Sequence, residues 1–363
     1  MILKTLIFYL CLNFPKKFSN FNEVFIVQFY IFLPLYNINI DESVLDKNIG
    51  DFKIISNNIF KTKYEHLVSN QVSQEFLFDL NEDIRNPHAG EFYTREYAKY
   101  ILIKECNITY PKNIANTEEK EQFDEQIREI KRTFDKFILT SRILSSGRLQ
   151  VHNGYIFSVP YYACFQLHTS TTIEHIRPFF YSEKHLLEGY YSMNEDKFNC
   201  IIDNIKLLNI LDNLKLSIPI LYFTHCYNAT NLFDRIIKLA IILECTMLAN
   251  CRDELKYRLN LRTCNFLGKN VSEELSIFYD TRSSIVHCGD ISNELYKKIK
   301  NIMQNKYNTN IEALFYFLQE KIEPIIRSVL LESLKIFNNS DKIKNYTQLS
   351  ESIDKQIIKS ISN

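Results

Sequence analysis

Apolar residues follow two rhythms along this chain. Up to about residue 195 they cluster in short runs broken by Asn, Gly, Asp and Pro. Beyond it they recur at helical spacing in segment after segment. The runs FLPLYNINI and NIGDFKIISNNIF predict short strands between residues 22 and 60. RLQVHNGYIFSVPYYACFQLHTSTTIEHI predicts further strands, broken at Asn153-Gly154 and Pro160. Residues 61 to 110 have mixed patterning and predict no definite element. A long helix follows Pro111, where Asn116 and Glu119 form a capping-box pattern. Phe123, Ile127, Ile130, Phe134 and Phe137 recur at spacings of four and three until Ser145-Ser146-Gly147 ends the helix.

The helical region opens with KFNCIIDNIKLLNILDNL, which is followed by Pro219 and then by NLFDRIIKLAIILECTML. DELKYRLNLRTCNFLG stops at Gly268, and SEELSIFYDTRSSIVHCG runs from a cap-like Ser272 to Gly289. IEALFYFLQEKIEPIIRSVLLESLKIF is the last long helix, with a bend expected at Pro324. The pattern predicts an α+β chain in three parts. A mixed α/β region covers 1–220, an all-α helical bundle 221–340, and a polar tail rich in Ser, Lys and Asn 341–363.

Two N-terminal apolar runs, MILKTLIFYLCLNF and VFIVQFYIFL, raise the question of a membrane. Both fall short of the roughly 18–20 residues that span a bilayer. They read as buried strands, so no stable membrane association is expected; a membrane-associated hairpin is the alternative.

Composition narrows the function. The 363 residues are 46% hydrophobic and 24% charged, the balance of a folded protein of two domains or one large one. Formal net charge is zero, which disfavours a surface that coats nucleic acid and leaves room for a local contact. Nine cysteines without a C-x-x-C pair point to reduced thiols in a cytoplasmic protein. Cys164 with His168, and His225 beside Cys226, lack metal-site pairing, so no zinc is expected. With no GxxxxGK[ST] and no G-x-G-x-x-G segment, no cofactor of those kinds is expected either.

The stretch YDTRSSIVHCGD carries the candidate chemistry. Arg282 is a permanent cation whose planar fork matches phosphate oxygens, and His287 exchanges a proton near neutral pH. Together they supply a charge clamp and a proton shuttle for phosphodiester transfer. Five residues of ideal helix set the two side chains about 140° apart, so they do not share a face. Either Arg282 swings partway round, or a two-fold axis brings Arg282 and His287 of two copies together.

The order of segments around this stretch resembles the Apea-like HEPN family over roughly residues 226–340. The resemblance rests on Glu244 in NLFDRIIKLAIILECTML and on the helix end Arg262-Thr-Cys-Asn-Phe-Leu-Gly268. It rests also on the hallmark at Tyr279, Asp280, Arg282, Ser283, Ile285, Val286 and His287. It implies a HEPN-type bundle that forms a homodimer with two R-x4-H motifs facing each other. It further implies a metal-independent endoribonuclease of a prokaryotic toxin or antiphage defence type, acting on RNA through Arg282 and His287. An antitoxin or regulatory ligand is the implied restraint. Ser283 stands where relatives often carry a stronger polar group, and Cys288 separates His287 from Gly289. Glu244 and Arg262 either position the Arg–His pair or form buried ion pairs between helices; Asp280 orients the helix. The alternative is a non-catalytic HEPN dimerisation or nucleotide-binding scaffold whose N-terminal region recognises a ligand or partner.

Overall fold

The computed structural model describes residues 25–36, 38–68, 98–110, 117–147, 149, 151, 154–159, 164–167, 191–212, 214–227, 229 and 231–362. The chain divides into two compact units. One comprises Met1–Ile138, Leu149–His175 and Tyr190–Ile202; the other comprises Leu139–Arg148, Ile176–Gly189 and Asp203–Asn363. The mixed region therefore ends near residue 202, and a short piece from 139 to 148 belongs to the helical unit.

An antiparallel sheet forms the first unit. Its strands are β1 (Phe25–Leu35), β3 (Asn48–Ile49), β4 (Phe52–Ser56), β5 (Tyr100–Tyr110), β6 (Gly154–Val159) and β7 (Cys164–Leu167). β2 (Ile38–Ile40) instead pairs in parallel with β8 (Tyr191–Met193). The order β3-β4-β5-β1-β6-β7 puts the apolar run of β1 inside the sheet, where Phe29, Ile31, Phe32 and Leu33 are all buried. Pro34 falls beyond Phe32, the last residue paired with β6, so its missing N–H lies where β1 has one neighbour. β5 arises in the stretch without a definite prediction. Its first half, Ile101 to Ile103, is buried throughout, whereas Lys104 and Glu105 reach outward, so neither strict alternation nor one continuous run marks it.

Two helices cover the sheet. Ser56 Oγ accepts the Ile59 N–H at 3.3 Å and caps α1 (Asn57–Lys63), which is followed by the short α2 (Glu65–Val68). Phe60 of α1 meets Phe32 edge-on at 5.0 Å. From the other face, α3 (Thr117–Leu144) brings Phe123 to within 6.5 Å of Phe29 and stacks Phe134 on Phe52 at 5.0 Å. These are residues of the predicted stripe. The capping box expected at Asn116, the apolar run over residues 1–14 and the break at Pro160 lie outside the described residues.

After α4 (Glu195–Asn204) the chain continues as a 3₁₀ segment, Ile205–Asp212, where one α-helix was expected. Ile205, Leu208 and Leu211 recur every three residues, the repeat that suits 3₁₀ geometry. Pro219 lies inside α5 (Leu214–Tyr227) and does not separate two helices. Burial of Leu216, Ile220 and Phe223 offsets the lost backbone bond. α6 (Leu232–Met247) is capped by Asn231, and α7 (Leu255–Leu267) ends at Gly268 with φ 63°. α8 (Ser272–Cys288) ends at Gly289 with φ 72°; Ser272 is its first residue, not its cap, and gives its N–H to Asn270 Oδ1 at 3.2 Å. α9 (Asn293–Ile302) and α10 (Asn310–Phe317) follow. The expected bend at Pro324 appears as a π-helical turn, Leu318–Ile322, before α11 (Glu323–Asn339). Pro324 has no N–H for the preceding turn, and the widened turn accommodates it.

The expected polar tail is largely a helix, α12 (Tyr346–Ser362). Tyr346, Leu349, Ile353 and Ile357 form a buried stripe at helical spacing beneath the Ser, Lys and Gln positions. Among the described residues no helix is long and apolar enough to cross a membrane.

A buried charge network ties this unit together. Glu323 takes Arg235 of α6 on one oxygen and Arg327 Nη2, at 2.9 Å, on the other. Arg327 Nε also donates to the Arg142 carbonyl at 2.9 Å, and the Arg142 guanidinium lies 4.2 Å from the centre of the Tyr227 ring. Burial opposes the charge on Arg327, but Tyr227 and Glu323 outweigh it and raise its pKa. Glu323→Gln keeps the volume and removes the charge that both guanidiniums share. It is expected to lower the unfolding free energy by about 3–5 kcal/mol. Urea denaturation of the full chain, followed by circular dichroism, checks this; a loss under about 1 kcal/mol would leave the network without the role assigned to it.

Candidate active site

The site begins with the way α8 is seated. Leu275, Phe278, Thr281 and Ile285 form its buried face, which leaves Tyr279, Arg282, Val286 and His287 toward the outside. Two polar ties fix α8 against the antiparallel α7. Lys256 Nζ donates to both Asp280 oxygens at 2.7 Å, and Asn260 Nδ2 donates to Ser276 Oγ at 2.6 Å. Asp280 thus anchors the helix, and its charge is already met by a cation.

Arg282 turns toward α6. Its Nη2 lies 3.0 Å from Glu244 Oε1 and 3.4 Å from Oε2, with the two side chains 25% and 27% exposed. The Tyr279 ring, one turn earlier, has its centre 6.0 Å from the guanidinium carbon. A guanidinium between a carboxylate and an aromatic face, still open to solvent, is held in position without being sealed off.

His287 occupies the last turn of α8 and is exposed. It makes no hydrogen bond or ion pair among the described residues. Ser284 Oγ donates to the Asp290 carbonyl at 2.7 Å and holds the turn beyond it. Ser283 is half-buried. Within one chain the structure therefore joins Arg282 to Glu244 and leaves His287 apart from both, in keeping with the angular separation of the two motif residues.

Arg262 belongs to a different arrangement. It is buried, with Nε 2.8 Å and Nη2 2.6 Å from the Asp354 oxygens and Nη1 2.7 Å from the Met247 carbonyl. It clamps α12 and the end of α6 onto α7, and its partner was invisible to the motif because it lies in the supposed tail. Glu244 and Arg262, two acid–base residues of the same sequence pattern, thus separate into a surface pair and a buried tie.

Sequence reasoning missed the neighbours on α7. An open concavity of about 650 Å³ is lined by Glu254, Leu255, Lys256, Tyr257, Asn260 and Tyr279. The signal was the antiparallel pairing of Lys256 with Asp280, which sets Tyr257 beside Tyr279. Among the described residues no group of three or more His, Cys, Asp or Glu side chains is assembled to hold a metal. Cys226 is buried on α5 and His225 is half-buried beside Tyr222; Cys164 begins β7, and His168 lies outside the described residues.

The geometry predicts that these residues differ in what they do for stability. Arg262→Ala is expected to cost at least about 2 kcal/mol, because it strips a buried three-bond tie. Arg282→Ala is expected to cost about 1 kcal/mol or less, because its ion pair is partly solvated. Paired urea titrations of the two variants check the order; equal losses would make Arg282 as structural as Arg262. Compared with known proteins, no family model, no curated protein and no solved structure matches the chain.

Proposed function

We propose that the helical unit is a HEPN-type bundle and that the protein is a metal-independent endoribonuclease of a prokaryotic defence or toxin type. The observation that carries this reading is that α8 exposes two groups in different directions: a guanidinium held by Glu244 and an imidazole with no partner among the described residues.

RNA carries its own nucleophile. The neutral His287 imidazole takes the proton of the ribose 2′-hydroxyl, and the oxygen attacks the adjacent phosphorus. The new P–O2′ bond forms as the bond to O5′ breaks. Arg282 stabilises the charge that grows on the non-bridging oxygens. A protonated His287 of the partner subunit returns a proton to the leaving 5′-oxygen. The products are a 2′,3′-cyclic phosphate and a 5′-hydroxyl, and the proton count closes over the two imidazoles.

The pairing of two copies follows from the angle of about 140° between the motif residues, which one helix cannot close. Val286, 49% exposed between Arg282 and His287, offers apolar surface for that contact. An incoming phosphate competes with Glu244 for Arg282, so the carboxylate positions the guanidinium until substrate arrives. Zero net charge suits such a site, because two Arg282 side chains make a local basic cleft in a neutral protein.

A second reading has its own support. Arg282 already has an ion-pair partner, and the pair would serve equally in a non-catalytic dimerisation scaffold. Incubation with end-labelled RNA in EDTA separates the two. The parent is expected to leave cyclic-phosphate ends, with His287→Ala slower by about 10²–10⁴-fold. Arg282→Ala is expected to be impaired as well. Equal cleavage by all three proteins would remove the motif from the mechanism and favour the scaffold.

A further inference from the structure

The concavity beside Arg282 has a lining unlike that of a phosphate site. Lys256, its cation, is neutralised by two bonds to Asp280, and Glu254 at its edge pairs with Arg258 Nε at 4.0 Å. What it offers is aromatic surface. Tyr257 is 64% exposed, and the second ring of the lining, Tyr279, is the one whose centre stands 6.0 Å from the Arg282 guanidinium carbon. The concavity, about 650 Å³, is wide open to solvent and so leaves room for a flat group held from one side.

Asn260 adds a polar group to this lining. One side of its amide is bonded to Ser276 Oγ at 2.6 Å; its Oδ1 is buried without a partner. Whichever way the amide is turned, one of its two polar atoms is left over.

From these features we infer that the α7–α8 concavity is a nucleobase subsite, filled by the base next to the phosphate that Arg282 holds. This rests on the proposed ribonuclease reading and adds to it a base-binding surface at a named place, the α7–α8 concavity. A base inside a duplex has both faces covered by its neighbours and its pairing edge occupied. Only an unpaired base can lie against Tyr257 and Tyr279. A lining whose charges are paired suits an uncharged base, and the guanidinium beside Tyr279 takes the phosphate of the same nucleotide. Recognition and cleavage are then adjacent on one helix pair, with Tyr279 shared between them.

Binding separates this inference from the catalytic reading. The full-length His287→Ala protein is titrated into a fluorescein-labelled ten-nucleotide single-stranded RNA and into the matching duplex, with anisotropy as the readout. Adding Tyr257→Ala is expected to weaken single-strand binding about 5- to 100-fold, the range for one stacked base. Adding Tyr257→Phe should restore it, since the ring and not the hydroxyl does the stacking. The duplex should bind more weakly than the single strand. Equal affinity of the Ala and Phe variants, no preference for the single strand, or no RNA binding at all would overturn the subsite. So would sedimentation showing that Tyr257→Ala turns a dimer into a monomer, which would assign this face to the partner subunit. Cleavage in EDTA by the parent protein, with KM unchanged by Tyr257→Ala, would leave the ribonuclease standing and the subsite fallen. Binding that depends on Tyr257 without cleavage by the parent would do the reverse.

Discussion

The helical unit depends on one carboxylate that has no water to fall back on. Glu323 is 5% exposed and serves arginines on two helices, Arg235 on α6 and Arg327 on its own α11. A buried guanidinium cannot shed its charge, so removing the acid would strand two cations in the core. Pro324 is part of the arrangement, because the π-helical turn it demands ends where Glu323 begins. Arg235 fixes the early turns of α6. Glu244 lies nine residues further on, where an α-helix presents the opposite side. The helix held from one side by Glu323 therefore delivers a carboxylate to Arg282 on the other.

A second constraint governs α8. Its apolar stripe commits Leu275, Phe278 and Ile285 to the interior, and the ties from Lys256 and Asn260 stop it from rotating. With the helix so fixed, Arg282 and His287 leave it in different directions. Chemistry that needs both groups at one phosphorus must find the second group elsewhere, and in the proposed function a second copy of the chain supplies it. The same rigidity holds the Tyr279 ring against Arg282, so the aromatic surface and the guanidinium keep a constant separation.

Much of this was legible in the sequence, for reasons specific to each element. The stripe from Phe123 to Phe137 is long and regular, and Gly268 and Gly289 mark helix ends because both occupy the left-handed region. Arg282 and His287 were singled out by their chemistry together with the family resemblance, and the structure shows where they stand on α8: one turned to Glu244, the other exposed. What escaped depended on partners distant in sequence. Arg262 forms the inter-helix ion pair that was one of its two readings; what escaped was its partner, Asp354, 92 residues away. α12 was concealed because Ser, Lys, Gln and acidic residues are interspersed along it, while the four apolar positions that bury it are a minority. β5 was concealed for a related reason, since one half is buried on both faces and the other is not. Pro219 shows the converse: a strong local breaker is overruled where three apolar neighbours are buried.

In the proposed function the Glu244–Arg282 pair has two roles with opposite requirements. A carboxylate at 3.0 Å orders the guanidinium and removes part of its entropy cost of binding, yet it also occupies the fork that a phosphate would use. Partial exposure reconciles the two. At about a quarter exposed the pair is worth roughly 1 kcal/mol or less, little enough for the phosphodiester of the proposed substrate to displace. Had the pair been buried like Arg235 and Glu323, the exchange would have cost several times more, on the scale of about 3–5 kcal/mol. The fold thus contains both kinds of ion pair, one sealed to hold the helices and one left at the surface, where an anion can compete for the arginine.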